Sequence, residues 1–148
     1  IRREKKLHKD DEVAFAELLK AIGRHGDPSS VAVLSKSPFK GITLASGRAR
    51  ILGLANIRTN EALEEVVKGT QLAGGSLPRS WRTFGEKRFV REFWLALRML
   101  TGLEMSGDLD VWRQWYRKNK KTFDVPATRP AIPAEMQRMW EEFWNEPY

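Results

Sequence analysis

The chain has 148 residues, no cysteine and two histidines, and 26 Lys and Arg set against 19 Asp and Glu give a formal charge of +7. Those counts exclude disulfide-stapled miniproteins and thiolate metal sites. Six Trp, seven Phe and two Tyr among many aliphatics exclude a wholly disordered chain, and the length suits one domain.

Residues 1–12 alternate basic and acidic side chains and read as a charged lead-in. They contain no initiator Met and no apolar stretch of a signal peptide, which predicts a processed or trimmed product. No apolar run reaches the ~20 residues of a membrane span. Zero cysteine suits the cytosol as well as an oxidising compartment, so the location stays open.

Helical spacing begins at Val13, with Ala16, Leu19 and Ile22 at intervals of three and Phe15 and Leu18 beside them. Gly23 and Gly26 end it. Asp27 is a suitable N-cap and Pro28 a suitable first helical residue for a short helix with Val31, Val33 and Leu34. Pro38 and Gly41 break that pattern. Residues 45–57 are helical by the spacing of Ala49, Leu52 and Ala55, with Ile51 and Leu54 alongside. Asn60 is the predicted N-cap of a helix carrying Leu63, Val66 and Val67, and Glu61, Glu64 and Glu65 suit its positive end.

A loop follows over residues 74–85, long for a compact domain and holding Pro78 and Trp81. A third pair begins near Glu86. Phe89, Phe93, Ala96, Leu97 and Leu100 mark its first helix, which Thr101 and Gly102 end. Asp108 or Asp110 caps the second, with Val111, Trp112, Trp115 and Tyr116. Pro126, Pro130 and Pro133 make residues 124–133 an extended connector. Over residues 134–148, Met136, Met139, Trp140, Phe143 and Trp144 fall on one helical face. No strand pattern persists, so the predicted class is all-α.

Three of these pairs align. An offset of 32 brings Leu19 to Ile51, Ile22 to Leu54, Val31 to Leu63 and Leu34 to Val66. An offset of 46 then brings Ile51 to Leu97, Leu54 to Leu100, Leu63 to Leu109 and Val66 to Trp112. One helix pair cannot bury both its apolar faces, whereas stacked pairs bury a continuous core.

On Leu19-x-x-Ile22-x-x-x-Gly26-Asp27-Pro28-x-x-Val31-x-x-Leu34 and Ile51-x-x-Leu54-x-x-x-x-Thr59-Asn60-x-x-Leu63-x-x-Val66, residues 13–123 resemble the HEAT-repeat family. The third unit, with Leu97, Leu100, Gly102, Asp108, Trp112, Trp115 and Asn119, is similar to the closing unit of many bacterial HEAT-repeat proteins. The resemblance implies a short right-handed α-solenoid of about three helical hairpins, a C-terminal capping helix, and a non-catalytic scaffold for protein–protein interaction. The lengthened loop, and Gly47 and Gly53 inside a helix, depart from it.

The residues give little catalytic signal. His8 lies in the lead-in and His25 in a turn, outside any ligand spacing, and no nucleophile elbow or phosphate loop is present. No cofactor, metal or catalytic residue is expected. Asp108 beside Trp112 reads as a helix cap, with a HEAT-like DNA glycosylase as the remote enzymatic alternative. Basic residues cluster in the third unit: Arg79, Arg82, Lys87, Arg88, Arg91 and Arg98, then Arg113, Arg117, Lys118, Lys120 and Lys121. Trp81, Phe84, Trp112, Trp115 and Tyr116 interleave them. Arg79, Trp81, Arg82, Arg91 and Arg117 are the predicted partner contacts, toward an acidic protein surface. Nucleic acid is the alternative partner of the same basic, aromatic surface.

Overall fold

The computed structural model describes residues 11–35, 44–71 and 89–148, and among these every regular element is helical, with no strand. The order is α1 (Glu12–His25), a 3-10 turn (Pro28–Ser30), α2 (Val31–Ser35), α3 (Leu44–Ile57), α4 (Asn60–Thr70), α5 (Val90–Thr101), α6 (Leu109–Asn119) and α7 (Ala134–Trp144). No described helix is long and apolar enough to cross a membrane.

The helices pair by position in the chain. α1 packs on α3 and α3 on α5, while α2 touches α4 and α4 touches α6. α3 also meets both α2 and α4, so the two rows share one core. Leu19, Ile51 and Leu97 are all buried in it, as are Val31, Leu63 and Leu109, and Leu34, Val66 and Trp112. These are the trios that the two sequence offsets align. Ile22 alone departs, being half-buried where Leu54 and Leu100 are buried.

Val13 is a correction to the expected inner face: it is 73% exposed. At about 100° per residue, a spacing of three turns the stripe backwards by about 60° each step. Nine residues on from Val13, Ile22 therefore lies on the opposite side. Ala16, Leu19 and Gly23 form the buried face instead.

Each first helix ends on a residue in the left-handed region: Gly26 (φ 67°), Arg58 (φ 57°) and Gly102 (φ 72°). Arg58 stands one offset of 32 on from Gly26, so an arginine occupies a glycine position. Its guanidinium compensates. It donates to the carbonyls of Met99, Pro126 and Thr128, tying the α3–α4 turn to α5 and to the connector. Replacing Arg58 with alanine keeps the strained backbone and removes these bonds. The expected loss is about 2 kcal/mol or more, read by urea denaturation.

The 3-10 turn that leads into α2, and α4 and α6, each start with a side-chain cap. Asp27 accepts from the Ser29 amide, Thr59 from Ala62 and Asp108 from Asp110. Asn60 is thus not the cap; it is the first residue of α4, and its amide instead holds the connector, accepting from Val125 N at 2.8 Å and donating to Asp124 at 2.9 Å. The connector is pinned throughout. Arg129 donates to Asn56 and stacks over the rings of Trp140 and Tyr148, and Ile132 is buried.

α7 folds back on the first-helix row. Met136, Trp140 and Trp144 are buried. Lys20 and Arg24 of α1 meet Phe143, the Trp144 carbonyl and Glu146. Arg48 and Leu52 of α3 share a small cavity with Met139, Glu142 and Phe143, and Arg91 of α5 pairs with Glu135 at 3.8 Å. α7 therefore runs across α1, α3 and α5, not over one end of the row. Of its acids, Glu135 pairs with Arg91 of α5 and Glu142 lines the small cavity with that arginine, whereas Glu146 reaches α1 and Glu141 accepts from the Tyr148 amide.

Candidate interaction surface

Two concave places are built by the second helices. The first is an apolar groove of about 290 Å³ among α2, α3, α4 and α5. Leu34, Ile51, Leu54, Val66 and Phe93 supply its apolar lining. Gly47 and Gly69 add no side chains to the lining, and the Phe93 ring takes the space that a Cβ on Gly69 would need.

Two cations also line the groove. Arg50 donates to the Val33 and Leu34 carbonyls, both at 2.9 Å, and lies over the ring of Phe15. Burial pulls its guanidinium below the ordinary arginine value. Lys68 pairs with Glu65 at 3.3 Å and Glu64 at 3.4 Å. Those carboxylates, first through the Glu65 hydrogen bond, hold its ammonium above the ordinary lysine value.

The second place is a cleft of about 210 Å³ between α4 and α6, bordered by Lys68, Tyr116, Arg117 and Lys120. Arg113 lines it but is spent on structure, since it donates to the last α4 carbonyl, of Thr70, and pairs with Asp110. Burial, followed by the nearby Glu64 carboxylate, raises the Tyr116 phenol above its ordinary value.

Of the predicted contacts, Arg91 is exposed in the first turn of α5 beside Glu135, and Arg117 is exposed on α6 at the α4–α6 cleft. The two face different neighbours. Arg79, Trp81 and Arg82, and the 74–85 loop that holds them, lie outside the described residues. The interleaved aromatics of α6 are engaged with one another. Trp112 is fully buried and its indole donates to Ser106, while Trp115 meets Trp112 and Phe123 edge-on at 6.4 and 4.9 Å.

Asp108 is exposed and spent on its cap, and the described residues hold no cluster of metal-ligating side chains. Arg50, Lys68 and Phe93 were not singled out as contacts from the sequence. The available signal was the glycines at 47 and 69, which leave room beside the bulky apolar residues of their helices. No family model matches the chain, and neither a curated protein nor a solved structure matches it.

Proposed function

We propose that this chain is a non-catalytic protein-interaction module, built as a short right-handed α-solenoid of three HEAT-like hairpins. It takes an apolar side chain from an acidic partner segment into the α2–α5 groove. The architecture is supported by the burial of three of the four offset-related trios and by the two rows of packed helices. The function rests on one observation: an apolar cleft of about 290 Å³ whose charged lining is Arg50, Lys68 and the single carboxylate Glu65. Such a cleft rewards an apolar anchor, and the cations favour carboxylates flanking it.

The test is capture of partners from lysate by the tagged chain, with and without nuclease, comparing the native protein with Lys68→Glu. A discrete protein that survives nuclease and is lost with Lys68→Glu supports the reading. Lys68 is exposed, but the variant sets a third carboxylate beside Glu64 and Glu65 at the C-terminal end of α4, so it is expected to cost about 1 kcal/mol and to stay folded by circular dichroism.

A second reading rests on the exposed run Arg117, Lys118, Lys120 and Lys121 at the end of α6. There the partner is nucleic acid. Retention on heparin, a steep fall of affinity with salt and loss of captured material on nuclease treatment would put this reading first.

A further inference from the structure

The two concave places share a wall. Lys68 and Gln71 line both the apolar groove and the α4–α6 cleft. On either side of them, Glu65, Val66 and Gly69 line the groove, and Glu64 and Val67 line the cleft. At about 100° per residue, the centres of the two lining sets lie roughly 100° apart around α4. On a helix about 10–12 Å across, that is a path of roughly 10 Å over the Lys68–Gln71 ridge.

The two ends of this path differ in chemistry. The groove end is apolar, and its Arg50 is engaged on the Val33 and Leu34 carbonyls. The cleft end is basic. Arg117 and Lys120 are exposed there, and neither side chain has an ion-pair or hydrogen-bond partner among the described residues. The carboxylate in the cleft, Glu64, is held by Lys68 at 3.4 Å. The Tyr116 phenol, whose proton burial helps to retain, adds a neutral donor. Trp112 is buried and Trp115 is packed edge-on against both Trp112 and Phe123, so neither indole of α6 is free as a stacking platform for bases. Carboxylates on a protein segment need only the cations and the donor.

We propose that the groove and the cleft form one continuous track for an extended acidic segment of a partner protein, with an apolar anchor in the α2–α5 groove and carboxylates about three to five residues away on Arg117 and Lys120. This rests on the groove reading above and adds the order and spacing of the motif. An extended chain advances about 3.3 Å per residue, so about three residues cross the ridge and about five allow for the reach of the side chains. Lys68 lines both places, so Lys68→Glu cannot tell one end from the other. Arg117 and Lys120 line only the cleft.

Selection of a random peptide library, displayed on phage, against the whole chain tests it. The enriched peptides are expected to share an apolar residue with Asp or Glu about three to five positions to one side of it. One such peptide, fluorescein-labelled and read by anisotropy, is expected to bind the double variant Arg117→Gln, Lys120→Gln roughly three- to tenfold more weakly than the native chain. Both positions are exposed, and circular dichroism checks that the variant keeps its fold. The same peptide with serine in place of its acids is expected to bind the native chain and the double variant equally. Enriched peptides with an apolar anchor but no acids at a fixed spacing overturn the track and leave the groove reading standing. Acids enriched without an anchor, or a double variant that weakens both peptides alike, also overturn it. No enriched peptide at all removes the groove reading with it. A double variant that loses retention on a single-stranded oligonucleotide yet binds the acidic peptide unchanged assigns these cations to nucleic acid, and the track falls.

Discussion

Gly23→Ala is expected to destabilise the protein by about 2 kcal/mol, the reverse of what this change does inside an ordinary helix. Alanine normally gains about 1 kcal/mol over glycine there. At Gly23 an added Cβ would stand 2.5 Å from the Gly53 Cα and 3.2 Å from the Trp144 ring. A backbone atom cannot swing aside as a side chain does, so α1 and α3 must separate, and overpacking of this kind costs roughly 1–3 kcal/mol or more.

Two companions calibrate the effect. A Cβ on Gly53 would meet the Leu34 Cδ1 at 3.0 Å and the Gly23 Cα at 3.2 Å, and the leucine tip can yield, so Gly53→Ala is expected to cost less. Gly107→Ala meets nothing within 4 Å and is expected to be neutral or slightly stabilising. Urea midpoints should fall in the order Gly107→Ala, Gly53→Ala, Gly23→Ala from most to least stable. Equal midpoints would mean that α1 and α3 do not cross at these glycines.

Trp140→Ala is expected to cost about 3–5 kcal/mol, a large share of the 5–15 kcal/mol that keeps a domain folded. Trp140 is 1% exposed. Its ring meets Trp144 at 5.5 Å and Tyr148 at 6.5 Å, and the Arg129 guanidinium lies 5.2 Å from its centroid. Truncation therefore opens a cavity under α7 and also loosens the connector that Arg129 anchors. Phe143→Ala, one turn on and half-buried, is expected to cost markedly less. A single unfolding transition for both variants, by fluorescence and circular dichroism alike, would place α7 in the same cooperative unit as the helix rows. A cost under about 1 kcal/mol for Trp140→Ala would place α7 outside it.

Much of the local structure was legible in the residues. Asp27 and Asp108 cap where the sequence put caps, because a short acidic side chain before an apolar-periodic run has few other uses. Gly26 and Gly102 end helices for the same kind of local reason. The trios spaced by 32 and 46 residues are buried together, since burial at a repeated helical position needs only the period and an apolar side chain. The amphipathic face of α7 was equally plain from Met136, Trp140 and Trp144.

What covers a face was not legible, because periodicity fixes a direction around one helix and says nothing of what stands there. Phe15 and Leu18 have the composition of core residues yet stay exposed, because the face of α1 that packs on α3 is that of Ala16, Leu19 and Gly23. In sequence Gly53 reads as a helix weakness and Gly23 as a helix end, yet α1 runs through Gly23 to His25, and only the crossing of α1 on α3 turns the two glycines into a contact. Arg58 in a glycine's conformation makes sense only when the carbonyls of Met99, Pro126 and Thr128 come within its reach, the first 41 and the others 68 and 70 residues on. The sequence by itself determined which of the described segments are helical and which positions repeat, for these follow from interactions a few residues apart. The tertiary structure alone decided the groove, the path of α7 and the exposure of Phe15 and Leu18, for these depend on which helices meet and at which faces.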